Sequence, residues 1–197
     1  MSSTTDIPDV IAAGLTASAL SRADFAAITD LCVRCSGFFS LVEGKPGGPE
    51  VAEEFLSDLA PGMGSESKHV LGFSRDGAFF GALDLVDGYP EPGNWYVSLF
   101  FLDPAARGGG LGRAIWAATE RWIRARGATH ARLVVQTQNP RARAFWESRG
   151  FEVIGETTQR LPTLENRVWR LLKAFPAVGD SGTLRSFFGS RCACSPG

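Results

Sequence analysis

Apolar residues return along this chain first at a helical period and then in strand-like runs, and the change divides it into two parts. From Ser21 to about Cys35, Phe25, Ile28, Leu31 and Cys32 recur at helical spacing, and Ser21 followed by Asp24 matches a capping box with Asp for the usual Glu. A first helix is predicted there. The short apolar run Phe38 to Val42 precedes the turn sequence EGKPGGPE, and Val51 to Leu59 reads as a second amphipathic helix. Residues Met1 to Leu15 are rich in Ser, Thr and Asp and predict an irregular lead-in.

From His69 the period changes. HVLGFS and AFFGALDLV are strand-like runs separated by Arg75-Asp76-Gly77, which predicts a hairpin. GYPEPGN is a loop, since its prolines cannot donate to a ladder. WYVSLFFL is apolar at almost every position, as expected of a strand buried on both faces, and Asp103-Pro104 stops it. Leu111, Ile115, Trp116, Thr119, Trp122 and Ile123 then form one helical stripe, with Gly127 as its stop. HARLVVQT is the next strand, Asn139 to Arg149 suits a helix with Pro140 at its first position and Gly150 at its end, and FEVIGET and NRVWRLL complete the sheet. The order implies an α/β (α+β) mixed, largely antiparallel sheet flanked by helices, with one strand-helix-strand crossover. One domain over residues 16–173 is expected, followed by a Gly/Ser/Pro-rich tail from 174 to 197 in which Phe187-Phe188 is the one strong apolar anchor.

Composition narrows the partners. With 197 residues, 44% of them apolar, the chain supports one substantial core, and a net charge of -1 provides no general field for nucleic acid or an anionic membrane. Spanning a bilayer takes ~20 consecutive apolar residues, and no stretch of the sequence approaches that length. Asp6 and Asp9 stand before IAAGLTASAL, where a secretory leader would carry Lys or Arg, so a cytoplasmic location is expected. The four cysteines comprise Cys32-Val33-Arg34-Cys35 and Cys192-Ala193-Cys194. A redox pair, a zinc site and ordinary helix residues are the readings. The first sits late in its helix, away from the N-terminal dipole that lowers a thiol pKa. No metal is expected.

RGGGLGRAI, Arg107 to Ile115, carries the candidate chemistry: glycines before a helix let a phosphate approach N–H groups at the positive end of the helix dipole. It is not a P-loop, since Gly112 is followed by Arg113 and Ala114 in place of Lys-Ser/Thr. Nor is it a dinucleotide fingerprint, because the spacing breaks at Arg113 and HARLVVQT contains no carboxylate. Arg107-Gly108-Gly109-Gly110-Leu111-Gly112 is R-x-x-G-x-G directly after a strand ending FLDP. This arrangement resembles the acetyl-CoA loop of the GNAT N-acetyltransferases. NPRARAFWESRGF, Asn139 to Phe151, is similar to that superfamily's second signature, N-x-x-A-x-x-F-Y-x-x-x-G-F, with Trp146 in place of the usual Tyr. The resemblance runs from about His69 to Leu172.

The resemblance implies acetyl-CoA as co-substrate. Its pyrophosphate would be held by backbone N–H groups from Gly108 to Gly112, including Leu111, with charge from Arg107 and Arg113, though either arginine also reads as a solvated side chain. It further implies a strand before the loop that splays from the next. Main-chain groups of Phe100, Phe101 and Leu102 would then pair with pantetheine, and the Leu102 N–H would face the thioester carbonyl. Asn139 would contact the cofactor arm while capping its helix, and Phe145 and Trp146 would pack beside it.

Deprotonating an amine of pKa ~10.4 at pH 7 costs about 4.6 kcal/mol, against about 2 kcal/mol for releasing a thiolate of pKa ~8.5, so the base problem is the larger. An indole cannot donate its proton as a phenol does, so water, Tyr89 or Tyr96 is left to protonate the thiolate. Trp95 to Leu102 contains no carboxylate, which leaves Asp84 as the candidate base, with Asp87 and Glu91 behind it. His69 reads as structural. Tyr89, Trp95 and Tyr96 among these acids are expected to contact the acceptor, a small cationic amine. The expected activity is transfer of an acetyl group to a small-molecule amine. Acetylation of a protein N-terminus or lysine, and acyl-CoA binding without catalysis, are the alternatives, and a homodimer is allowed.

Overall fold

The computed structural model describes residues 14–161 and 164–176. Most of the expected lead-in, and the tail with Phe187, Phe188, Cys192 and Cys194, lie outside the described residues. Strand β1 is Leu15–Ala19, followed by helices α1 (Phe25–Arg34), α2 (Ser36–Val42) and α3 (Pro49–Ser57). Strands β2 (Lys68–Arg75), β3 (Ala78–Asp87) and β4 (Asn94–Leu102) come next, then α4 (Leu111–Ala125), β5 (His130–Gln136), α5 (Pro140–Glu147), β6 (Glu152–Arg160) and β7 (Glu165–Ala174). The strands form one seven-stranded sheet in the order β1-β2-β3-β4-β5-β7-β6. Every pairing is antiparallel except β4 with β5, which α4 connects as a crossover.

Local signals account for most boundaries. Ser21 and Asp24 close the expected capping box. Asp76 and Gly77, with φ of 50° and 81°, make the two-residue turn between β2 and β3, as their positive dihedrals require. Asn139 Oδ1 accepts the Ala142 N–H at 3.1 Å, and Pro140 opens α5. Two elements depart from the sequence expectation. Strand β1 begins at the last residue of the expected lead-in and runs over residues given no element; Leu15 and Ala17 turn to the core between exposed Thr16 and Ser18, an alternation too short and too small in side chain to read as a strand, and β1 is defined by its pairing with β2. The first helix ends at Cys35 (φ -94°, ψ 15°) as expected, but the apolar run Phe38–Val42, given no element from its sequence, belongs to a further helix, α2, turned 80° from the preceding one. Among the described residues no single helix is long and apolar enough to cross a membrane.

The sheet carries a core on each face. Against Trp116 of α4 and Trp146 of α5 lie Leu71, Leu83, Leu85, Trp95 and Val97; against α1, α2 and α3 lie Ala82 and Phe101, with Leu99 packed beside them. Strand β4 reaches both through a bulge. Leu85 stands opposite Val97 while Asp84 stands opposite Leu99, so Ser98 is the extra residue. The insertion reverses the alternation: Trp95 and Val97 face α4, whereas Leu99 and Phe101 face the N-terminal helices.

Candidate active site

The site begins where β4 and β5 part. Their parallel pairing covers only Asn94 to Tyr96 against His130 to Arg132. Beyond it β4 continues along β3 to Leu102, and β5 continues along β7 to Gln136. The bulge at Ser98 lies two residues after the last paired position, Tyr96, and redirects β4 there. Phe100 packs into the opened gap against Phe145 and Trp146, with ring centroids 6.3 and 6.0 Å away.

The backbone of β4 presents donors to this gap. The Asp103 N–H bonds to Phe80 O at 2.8 Å, on the β3 side. Backbone groups alternate edges along a strand, so the N–H groups of Leu102 and Phe100 point to the opposite edge, from which β5 has withdrawn. The Leu102 carbonyl on that edge accepts Arg107 Nε at 2.9 Å and Cys35 Sγ at 3.4 Å.

Arg107 opens the glycine loop. Gly108 and Gly110 have φ of 92° and 82°, which only glycine adopts without strain. A Cβ added at Gly108, Gly109 or Gly110 would meet nothing within 4 Å, so protein packing does not explain the bare backbone. Gly110 caps α4 with no side-chain bond to the helix, and the first intrahelical bond there runs from Ala114 N to Gly110 O at 3.1 Å. The amides of Leu111, Gly112 and Arg113 are thereby left at the positive end of a fifteen-residue helix. Together with the open space over the glycines, this fits a bound pyrophosphate.

Two cavities meet in the gap. The first, of roughly 360 Å³, opens by the loop and includes Arg107, Arg113, Arg141 and Arg149 in its walls. The second, of roughly 90 Å³, runs between the diverged strands toward the end of α2. Phe38, Phe100, Asn139, Ala142 and Trp146 line both, so the two form one passage through the sheet. Its charge is polarised. Four arginines and no carboxylate line the loop mouth, whereas Glu43 is the one charged residue lining the other end among the described residues.

The passage gathers most of the residues singled out from sequence: Phe100, Phe101, Leu102, Arg107, Gly108, Gly110, Leu111, Gly112, Arg113, Asn139, Phe145 and Trp146. Trp146 combines two expectations. It is 6% exposed, packed edge-on to Trp116 and Phe151, and still forms a wall of the cleft.

Three other expectations are corrected. Trp95 is not an acceptor contact: it is 1% exposed, stacked on His69 and edge-on to Trp122 beneath α4, because its position precedes the bulge. Asp84 lies outside the cleft walls. Its Oδ2 takes Lys68 Nζ at 2.7 Å, both side chains being 6% exposed. Burial pushes this carboxyl above the usual range, outweighing the attraction of Lys68 and the nearby Ser98 hydroxyl, and Oδ1 has no hydrogen-bond partner. Tyr96 packs edge-on against Tyr89 at 5.5 Å, and neither lines the cleft. Burial, with Tyr89 beside it, pushes the Tyr96 phenol up to about 12.

Glu91, His69 and the first cysteine pair have structural partners or packing. Glu91 is tied to Arg132 at 3.5 Å and to Asn94 Nδ2 at 3.4 Å. Burial lowers the His69 pKa between its two tryptophans, a packing environment that matches its structural reading. Cys32 and Cys35 are buried free thiols, and burial pushes the Cys32 pKa up to about 12. Sequence reasoning missed Glu43, Arg141 and Arg149. The arginines were within reach, since Arg141 lies inside NPRARAFWESRGF; Glu43 follows an apolar run whose helical turn no local signal announces.

Comparison with known proteins agrees with this geometry. The profile of the acetyltransferase (GNAT) family matches residues 38–151. A mycothiol acetyltransferase of Beutenbergia cavernae is 34% identical over 84 residues, which span 43% of this chain and 28% of that protein. The fold superposes on a ribosomal-protein-alanine N-acetyltransferase from Brucella melitensis with a TM-score of 0.63 at 19% identity, covering 81% of this chain and 99% of that one. It superposes equally well, at 0.63 and 18% identity, on a spermidine N-acetyltransferase from Vibrio cholerae in complex with CoA and spermine, covering 83% and 96%. The fold therefore does not choose between protein and small-molecule acceptors. With the family profile spanning more than half of the chain and the loop, the splayed strands and the second signature lining one passage, the chain belongs to the GNAT acetyltransferase family.

Proposed function

We propose that this chain transfers an acetyl group from acetyl-CoA to a slender primary amine that carries positive charge, a small molecule rather than a folded protein surface. The observation that carries the reading is the polarity of the passage, with four arginines at the loop mouth and Glu43 at the far end. Such a field draws a polyphosphate to one side and a cation to the other. The far end, at roughly 90 Å³, has room for an alkylamine head.

Acetyl-CoA, when bound, supplies the acetyl thioester. The chain's own groups hold and orient it. Amides from Gly108 to Arg113 and the arginines receive its phosphates, Asn139, Phe145 and Trp146 flank its arm, and the Leu102 N–H donates toward the thioester oxygen. Phe38, Phe100 and Trp146 narrow the passage between donor and acceptor and exclude water, which strengthens each of these polar contacts.

Thiol release from acetyl-CoA measured over polyamines, aminoglycosides, amino acids and peptides tests the acceptor class. Turnover with polyamines or other small amines supports it, and turnover confined to peptides overturns it. Calorimetry with the double variant Arg107→Ala, Gly110→Asp tests the donor side, where unchanged affinity for acetyl-CoA would refute the loop assignment.

A further inference from the structure

We propose that Glu43 is the acceptor-side catalytic residue, a carboxylate that binds the incoming ammonium and takes the proton it must lose before attack. The proposal rests on the reading that the passage holds acetyl-CoA at the loop and an amine at the far end.

Glu43 is placed by three separate features. It follows the last residue of α2, its N–H bonded to Phe39 O at 2.7 Å, so the 80° turn after α1 carries it over the gap between β4 and β5. The end of α2 is pinned there: Asn166 Nδ2 of β7 donates to Val42 O at 3.3 Å, and Asn166 Oδ1 accepts Gln138 Nε2 at 2.9 Å. Asn166 is itself buried, which fixes the residue before Glu43 against the sheet. The cavity also holds Gln159, whose Oε1 is buried with no hydrogen-bond partner. A carboxylate and an unsatisfied amide oxygen in one narrow cavity form an acceptor set for N–H donors, the complement of an ammonium group.

The electrostatic surroundings suit a base. Burial raises the Glu43 pKa first, and Glu54 of α3 and Asp58 just after that helix raise it further against the attraction of Lys45. Lys45 is itself shared with Glu50 and Glu54, at 2.9 and 2.6 Å. A carboxylate whose pKa is raised is a stronger proton acceptor than an ordinary surface glutamate. In the balanced reaction an ammonium gives one proton to the Glu43 carboxylate, leaving a neutral amine. The C–N bond forms as the C–S bond breaks, the second N–H proton goes to the departing thiolate, and Glu43 returns its own proton to water.

The test uses full-length protein with acetyl-CoA and three slender amines of falling basicity: propylamine, 2-methoxyethylamine and 2,2,2-trifluoroethylamine. A base matters most for the amine that is most fully protonated. Glu43→Gln is expected to lower kcat/KM for propylamine by about 100-fold or more at pH 7, in the range of general-base contributions, with the deficit shrinking as the amine weakens. Glu43→Asp should restore part of the loss and keep the acid limb of the pH profile, and calorimetry should find acetyl-CoA affinity unchanged in both variants. A deficit equal for all three amines, or none, overturns the role of Glu43 alone. Tight acetyl-CoA binding with no wild-type turnover on any amine overturns the acceptor reading, and the role of Glu43 with it.

Discussion

Arg107 Nε donates to the Leu102 carbonyl at 2.9 Å, so the residue that opens the glycine loop also clasps the end of the strand beside it. Strand and loop are thereby positioned as one unit, with the Leu102 N–H directed to the cleft. Arg107→Ala removes both the charge and the clasp. Since a hydrogen bond to a charged group contributes about 1.5 to 3 kcal/mol, acetyl-CoA affinity should fall roughly tenfold to a hundredfold. Arg107→Lys should recover much of the affinity but less of kcat, because a lysine lacks the rigid fork that reaches the carbonyl. Calorimetry beside steady-state rates separates the two effects.

Gly109 offers a cleaner probe of the cradle. Its φ is not in the left-handed region, and a Cβ there meets nothing in the protein. Gly109→Ala should leave stability unchanged or raise it by about 0.4 to 1 kcal/mol, through the unfolded state. A methyl group in the space proposed for phosphate should nevertheless weaken acetyl-CoA binding by about fivefold to about 150-fold, the effect of about 1 to 3 kcal/mol of steric overlap. Denaturant melts and calorimetry on the same variant would show stability and affinity moving independently.

The buried pair Lys68–Asp84 predicts the opposite pattern. Asp84→Ala leaves the Lys68 ammonium uncompensated at 6% exposure, so unfolding free energy should drop by about 3 to 5 kcal/mol. The pH profile of kcat/KM for the fraction that remains folded should keep its shape. A lost acid limb in this variant would return Asp84 to the role of base.

Asp103 links stability to acid pH. Its Oδ1 caps the turn after β4 through the Ala105 N–H at 2.9 Å, and its Oδ2 takes Arg34 Nε of α1 at 2.5 Å. Burial pushes its pKa up, but the Ala105 amide and the Arg34 and Arg107 guanidinium groups together hold it below the usual value. A depressed folded pKa contributes stability above the unfolded value of ~3.9 and loses it as pH falls through the folded one. Asp103→Ala should cost about 1 kcal/mol at pH 7, mostly the cap, because the partly exposed ion pair is screened. Its charge-dependent part should begin to fall below about pH 4 and be lost only as pH passes below the depressed folded pKa, as measured by melts across that range.

Trp146→Tyr restores the phenol that the second signature usually carries. If the thiolate were hard to protonate, kcat would rise. Deprotonating the amine is the costlier step, about 4.6 against 2 kcal/mol, so kcat should stay within about threefold. Packing lost beside Trp116 and Phe151 should lower stability by about 1 to 3 kcal/mol.

What the sequence determined by itself is local in its physics. The positive dihedrals of Gly108 and Gly110, the Asn139 cap with Pro140 behind it, and the helical stripe of α4 each follow from a few neighbouring residues, and with the resemblance they carry they mark the side proposed for acetyl-CoA. The acceptor side depends on geometry that accumulates over distance. One inserted residue, Ser98, decides that Trp95 is core and that Phe101 faces the other helices, although the strand reads as uniformly apolar. Likewise Glu43 reaches the cleft only because the chain turns by 80° at Cys35 and Asn166, far away in sequence, holds the end of α2. Local dihedral demands are written in adjacent residues, whereas a bulge's parity and a helix's direction are set by the whole sheet against which they pack.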